Sequence, residues 1–159
     1  MDEILELLAK DARHSAEDIA KLTGKPAAEV KRKIAEYEKD GTILQYKTVL
    51  NEAPRDGSSV LALIEVSITP QKDVGFDHIA ERIYNFPEVK TCYLVSGGYD
   101  LLVVVEGKTI HTVADFVASK LSPMENVRQT STHFLLKKYK EDGQIFKKSS
   151  KQKRLNISY

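Results

Sequence analysis

The sequence predicts an α+β protein made of a small helical module followed by a larger βαββαβ sheet module. Three observations predict it. Apolar residues recur at helical spacing from Ile4 to Tyr37. The stretch Pro54-Arg55-Asp56-Gly57-Ser58-Ser59 is rich in turn formers and carries no apolar period, so it reads as a linker. Beyond it, β-branched runs alternate with two helical stripes. The expected division is 1–53 for the helical module, 54–59 for the linker, 60–146 for the sheet module and 147–159 for a basic tail.

Ile4, Leu7 and Leu8 give the first helix its buried stripe, ending near Lys10-Asp11. Ser15 followed by Asp18 is a capping arrangement, and Ile19, Ala20 and Leu22 form the next stripe. Thr23-Gly24-Lys25 interrupts that helix in the short way a helix-turn-helix requires. Pro26 suits a first helical position, where its missing N–H costs nothing. Val30, Ile34 and Tyr37 share one face of the third helix, which Asp40-Gly41 closes. Thr42 to Tyr46 and Val49-Leu50 are β-prone runs around Lys47-Thr48, the makings of a wing hairpin. Together these elements are the layout of a winged helix-turn-helix.

In the second module Val60–Ile68, Val89–Val95, Leu101–Glu106 and Val127–Leu136 read as strands. Helical stripes fall at 76, 79, 80, 83 and 84 within Val74–Phe86, and at 110, 113, 114, 117 and 121. The order βαββαβ is the ferredoxin-like arrangement, with both helices on one face of an antiparallel sheet. The other face should then alternate polar residues outward. It does not: Leu61 and Leu63 oppose Ala62 and Ile64, and Leu102 and Val104 oppose Leu101, Val103 and Val105. An apolar face of that kind points to a partner surface, and a second copy of the chain is the expected partner. A two-fold dimer would also set two reading helices on a pseudo-palindromic site.

The total charge of +1 hides a division along the chain. Residues 1–50 carry 9 basic and 10 acidic side chains, residues 51–136 carry 7 and 11, and residues 137–159 carry 8 and 2. A near-neutral reader and an acidic sheet module are followed by a strongly basic end. On the third helix, the side opposite the apolar stripe presents Lys25, Ala28, Arg32, Ala35 and Lys39, with Lys31 and Lys33 flanking it. Small residues near a helix N-terminus let backbone enter a major groove, and cations supply donors to bases and phosphates. Lys25, Ala27, Ala28, Lys31, Arg32 and Lys33 are therefore the candidate DNA contacts, with Lys47 of the wing on phosphate. Glu29, Glu36 and Glu38 leave open an ordinary solvated helix face. The tail, running to Lys153 and Arg154, is either a frayed terminus or a strip that follows DNA through counterion release.

Other chemistries find little support. His14, His78, His111 and His133 are scattered, and no HExxH, CxxC, Walker loop, GxGxxG or GxSxG spacing exists, so neither catalytic residues, a metal site nor a cofactor is expected. Cys92, the sole cysteine, excludes an internal disulfide and suits a reducing cytoplasm. No apolar run approaches the ~18 residues that span a bilayer. Met1-Asp2-Glu3 is no secretory start.

Ile4-Leu5-Glu6-Leu7-Leu8 after Asp2, then Asp11-Ala12-Arg13, resembles the opening helix of the Lrp/AsnC family of transcription regulators. Glu17-Asp18-Ile19-Ala20 with Gly24 is similar to that family's second helix and turn. Val30-Lys31-Arg32-Lys33-Ile34 and Asp40-Gly41-Thr42-Ile43 resemble its recognition helix and wing entry. Pro26, Lys33 and Tyr37 depart from the residues usual there (Ser, Arg and Leu), which bears on the operator read. The resemblance runs to about residue 146. It implies double-stranded DNA as partner, homodimers assembling into tetramers or octamers, and an amino-acid-type effector. Gly98-Tyr99-Asp100, after Gly97, is similar to the family's Gly-x-Tyr-Asp signature, and the resemblance adds Thr130 and Thr132 to the same effector site. Gly97 and Gly98 would allow positive φ and close approach, and Asp100 would accept from an ammonium. The same four residues also read as a plain hairpin turn whose Asp satisfies loop backbone. A ligand-binding or scaffold oligomer whose helical module contacts protein is the competing function.

Overall fold

The computed structural model describes residues 2–50, 59–69 and 75–146. The chain divides into two compact units, residues 1–49 and 50–159. Most of the expected linker, Val74 and the basic tail 147–159 lie outside the described residues.

Three helices make the first unit: α1 (Glu3–Lys10), α2 (Ala16–Thr23) and α3 (Ala27–Lys39). Each begins where a local acceptor is ready for the orphan N–H groups of a first turn. Asp2 caps α1, its Oδ1 accepting from the Ile4 N–H at 2.9 Å. Ser15 and Asp18 form a reciprocal capping box on α2. α2 stops at Gly24, whose φ of +69° places it in the left-handed region that glycine adopts without a Cβ penalty. Pro26 occupies the cap position of α3, one residue earlier than expected, and its carbonyl accepts from the Glu29 and Val30 N–H groups.

Ile4, Leu8, Ile19 and Val30 form the core, with Leu7, Ala20, Ile34 and Ile43 packed around them. Leu22 does not join the stripe assigned to it and is 62% exposed. Among the described residues, 43–50 lie in no strand, so the expected wing hairpin is not seen there, and residues 51–58 lie outside the described residues. Lys47-Thr48 offers neither of the positive-φ residues that a two-residue hairpin turn needs. Instead the Ile43 N–H donates to the Tyr37 carbonyl at 2.8 Å, folding the segment back onto α3.

The second unit is an antiparallel sheet in the order β2-β3-β1-β4, where β1 is Val60–Ile68, β2 Val89–Leu94, β3 Leu101–Gly107 and β4 Val127–Phe134. Helices α4 (Asp77–Tyr84) and α5 (Ile110–Phe116) complete the ferredoxin-like order. Ala62, Ile64 and Val66 of β1 and Leu101, Val103 and Val105 of β3 are buried in one core with Ile79, Ile83, Val113 and Phe116 of the helices. Leu61, Leu63, Leu102 and Val104, on the opposite face, are only half-buried. The second apolar face read from the sequence is therefore left uncovered by either helix.

α5 continues into a π-helical turn, Val117–Leu121, closed by the Ser122 N–H donating to the Val117 carbonyl at 2.8 Å. The extra residue in that turn sets Leu121, rather than Lys120, back onto the buried side of Val113 and Phe116. Ile110 and Ala114, expected inside, lie before the turn and are exposed. Tyr84, placed on the stripe of α4, is likewise 54% exposed. After β4 a small hairpin pairs Lys140–Glu141 with Gln144–Ile145. Asp142 (φ +47°) and Gly143 (φ +78°) form its turn, the Asp-Gly chemistry such hairpins favour.

Candidate nucleic-acid interface and effector loop

α3 separates its residues into three groups. Val30 faces the core, with Ile34 and Tyr37 half-buried beside it. Ala27 and Lys33 border that side and are also half-buried. Ala28, Lys31, Arg32, Ala35 and Lys39 are exposed on the far side, which is where a helix entering a groove would place its contacts.

The predicted cations are used unequally. Lys25 lies 3.6 Å from Glu3 of α1. Lys33 stands 5.9 Å from the Tyr37 ring and 3.2 Å from a Glu36 oxygen. Arg32 Nη1 donates to Glu36 Oε1 at 2.8 Å, one helical turn along the same ridge. Among the described residues, no carboxylate pairs with Lys31. Lys47 is exposed on the segment after α3. The structure thus gathers Ala28, Lys31 and Arg32 on one outward surface and sets Lys25, Ala27 and Lys33 at its margins.

The C-terminal end of α3 is fastened. The Tyr37 hydroxyl donates to Asp2 Oδ2 at 2.7 Å, tying α3 to the start of α1. That hydroxyl holds the Asp2 carboxyl below its ordinary range, and the Asp2 carboxylate raises the Tyr37 phenol in return. Asp40 accepts from the Thr42 N–H at 2.8 Å, turning the chain out of α3, and the Thr42 side chain together with that N–H keeps its carboxyl low.

In the second unit the loop from Val95 to Asp100 joins β2 to β3. The Val95 N–H donates to the Asp100 carbonyl at 2.9 Å, and the Asp100 N–H donates to the Val66 carbonyl at 3.0 Å. The Asp100 carboxylate accepts from the Ile68 N–H at 2.7 Å, at the place where the β1–β4 register slips. Asp100 therefore satisfies backbone, but that of β1 rather than, as the turn reading of these residues had it, that of its own loop. Gly97 has φ +152° and needs to be glycine, whereas Gly98 takes no positive φ. Tyr99 is half-buried beside them.

Thr130 pairs with Val66 and Thr132 with Ile64, so both point to the helix side of edge strand β4. Leu101, Val66 and Thr130 share one cross-strand row, which puts Thr130 at the loop's end of the sheet. Thr130 also lines an open cleft of 230 Å³ with Ser122, Val127, Arg128 and Gln129. Its hydroxyl is 3.3 Å from that of Ser122. The sequence reading missed Ser122 and Arg128, because the π turn that carries Ser122 to the cleft leaves no mark in an apolar period. Among the described residues no group of His, Cys, Asp and Glu is placed to hold a metal ion. No helix there is long and apolar enough to cross a membrane.

Comparison with known proteins follows the same two-part division. Residues 3–43 match the model of a winged helix-turn-helix DNA-binding domain, and residues 61–145 match that of the Lrp/AsnC ligand binding domain. The chain belongs to the Lrp/AsnC family. An uncharacterized HTH-type transcriptional regulator of Bacillus subtilis, YugG, is 46% identical over 157 residues, spanning 98% of this chain and 95% of that protein. The leucine-responsive regulatory protein of Rhizobium meliloti is 28% identical, spanning 89% and 90%. Among solved structures, an AsnC family transcriptional regulator from Agrobacterium tumefaciens superimposes with a TM-score of 0.67 at 25% identity, covering 89% of this chain and 94% of that one. A transcriptional regulator of Neisseria meningitidis solved as an L-Met complex shares the fold, with a TM-score of 0.68 at 24% identity over 87% and 89%. This Lrp/AsnC-family chain is a DNA-binding transcription regulator and not an enzyme.

Proposed function

We propose that the chain reads operator DNA through the outward face of α3, as a homo-oligomer assembled by its sheet units and tuned by a small amino acid. Residues 1–53 read DNA, 60–146 assemble and sense, 54–59 link the two, and the basic tail 147–159 follows the duplex. The observation that carries the DNA contact is the placement of Ala28, Lys31 and Arg32 together on one exposed helix face. Ala28 lets the backbone approach, Arg32 supplies donors to a base edge and Lys31 to phosphate. Lys25, Ala27, Lys33 and Lys47 contribute from the margins. The cytoplasm, where its DNA lies, is the site of action.

Assembly uses the half-buried face of Leu61, Leu63, Leu102 and Val104. Its polar groups already have partners, Glu106 with Lys90 at 3.0 Å and Glu65 with the His133 imidazole Nε2 at 3.3 Å, leaving an apolar centre inside a polar rim. Dimers built this way, joined into tetramers or octamers, set two α3 helices on one pseudo-palindromic site. The effector site is assigned to Gly97, Gly98, Tyr99 and Asp100 with Thr130 and Thr132. The Neisseria relative's complex with L-Met supports an amino acid there. Asp100 keeps its backbone acceptor role while the loop lies against the ligand.

Capture of fragmented genomic DNA at moderate salt tests the reading. Wild-type protein should enrich a defined sequence. Arg32→Ala should lose about 1–3 kcal/mol of binding to it. Failure of the wild-type chain to enrich any sequence refutes the operator-reading role. Val104→Lys should reduce the mass measured by light scattering, and thermal shift against the twenty amino acids should single out the effector.

A further inference from the structure

A single carboxylate sits among the cations of the reading helix and uses both of its oxygens. Glu36 Oε1 accepts from Arg32 Nη1 at 2.8 Å, and Glu36 Oε2 lies 3.2 Å from Lys33 Nζ. The helix has two other carboxylates, and neither does this. Glu38 accepts from the Tyr46 hydroxyl at 2.9 Å, and Glu29 pairs with no cation among the described residues. We propose that Glu36 is a specificity-determining positioning residue, which steadies Arg32 through one N–H and cancels the positive field that would otherwise hold any DNA. The inference rests on α3 being the element that reads DNA.

A guanidinium has five N–H donors, and Glu36 engages only Nη1. The Nε and Nη2 groups of Arg32 have no partner among the described residues, so an edge with two donors stays available. That edge matches the paired acceptors of a guanine in the major groove. Bases are neutral, so the Glu36 charge costs such a contact little. Phosphates are anionic, and a carboxylate within a few ångströms of the approaching oxygen opposes them. Non-specific binding is almost wholly phosphate attraction, whereas operator binding adds base contacts to it, so the penalty weighs more heavily on the non-specific mode. The Arg32 and Glu36 side chains are 64% and 44% exposed, so the pair itself is weak and presents no barrier to docking. Lys31 keeps its full charge for the phosphate that positions the helix.

The test uses the full-length protein and two duplexes of equal length and composition, one enriched by the wild-type chain and one scrambled. Fluorescence anisotropy is followed across a salt series. Glu36→Gln should raise affinity for the scrambled duplex by about three- to tenfold and steepen its log–log salt slope by about one, the signature of one added phosphate contact. Affinity for the enriched duplex should change by less than about twofold, so the specificity ratio falls. In an Arg32→Ala background the same substitution should leave the ratio where Arg32→Ala put it. An equal gain on both duplexes, no gain on either, or a ratio change that survives without Arg32 overturns the proposal. If Lys31→Ala and Arg32→Ala both leave binding untouched, α3 is not the reading element, and the underlying assignment falls rather than the role of Glu36 alone. Unchanged helicity by circular dichroism in Glu36→Gln assigns the changes to the interface.

Discussion

Among the described residues, four in the helical unit, Ile4, Leu8, Ile19 and Val30, make up the buried core, while in the sheet unit thirteen do. The polar bonds are distributed the other way. The helical unit places Asp2, Asp11, Ser15, Asp18 and Asp40 at helix ends and turns, each satisfying a nearby backbone N–H. The sheet unit uses few such fastenings and fills its interior with Ile, Val and Phe, including an edge-to-face pair of Phe86 and Phe116 at 5.5 Å. A module of about fifty residues cannot bury enough surface to rely on its core, so it depends on local bonds that set helix starts and stops.

The largest effect expected on this contrast comes from truncating a core residue in each unit. Ile19→Ala and Ile64→Ala should each cost about 2–5 kcal/mol. In the helical unit that loss falls on a quarter of the buried core. Ile19→Ala should abolish DNA binding at a temperature where the sheet signal in circular dichroism is unchanged. Parallel loss of both signals would show that the two units do not unfold separately.

Asp100→Ala comes next, at about 1–3 kcal/mol in the sheet unit, because it leaves the Ile68 N–H without its acceptor. Asp100→Asn should recover most of the loss, since an amide oxygen also accepts. Urea unfolding of the three proteins measures the difference, and equal stability would remove Asp100's structural role. Ser15→Ala should cost about 0.5–2 kcal/mol through loss of the α2 capping box, with Ser15→Thr close to wild type because its hydroxyl can still accept from the Asp18 N–H and donate to the Asp18 carboxylate.

The smallest expected effect is acid sensitivity. Asp2, Asp11, Asp18 and Asp40 are held below the ordinary 3.8, by Tyr37, Arg13, Ser15 and Thr42 respectively. A carboxyl lowered in the folded state contributes stability above its unfolded value and loses it as pH falls through the folded one. In the sheet unit, Glu88, beside Lys120, and Glu106, beside Ser59 and Lys90, are lowered. Below about pH 4 the helical unit's melting point should therefore drop faster than that of the sheet unit. Tyr37→Phe should narrow the gap.

Particular elements show what kind of information each reading used. The Ser15–Asp18 box, the Gly24 stop and strand β1 could be read directly, because each is decided by residues within a few positions of one another. Leu22 and Ile110 had the right spacing for a core and ended exposed, since spacing says which residues share a face and not whether anything covers that face. The wing was read from β propensity, and residues 43–50 lie in no strand, because Lys47-Thr48 lacks the turn chemistry that would pair the two runs. The double apolar face of the sheet was visible as an absence of alternation, which is why a partner surface could be inferred before any fold was known. Glu36 was seen only as a dilution of positive charge. Its position four residues after Arg32 already allowed the pair, but the shared use of both oxygens needed side-chain geometry.

The sequence by itself determined where the helices begin and end, which strand faces are apolar, and the family to which the chain belongs. These follow from short-range backbone chemistry and from periodicity, both of which are written along the chain. Only the tertiary structure decided what the polar groups do once folded. Asp100 accepts from a backbone N–H 32 positions away, and Tyr37 donates to Asp2 across 35. Such partners are brought together by the packing of the core, and no local spacing encodes them.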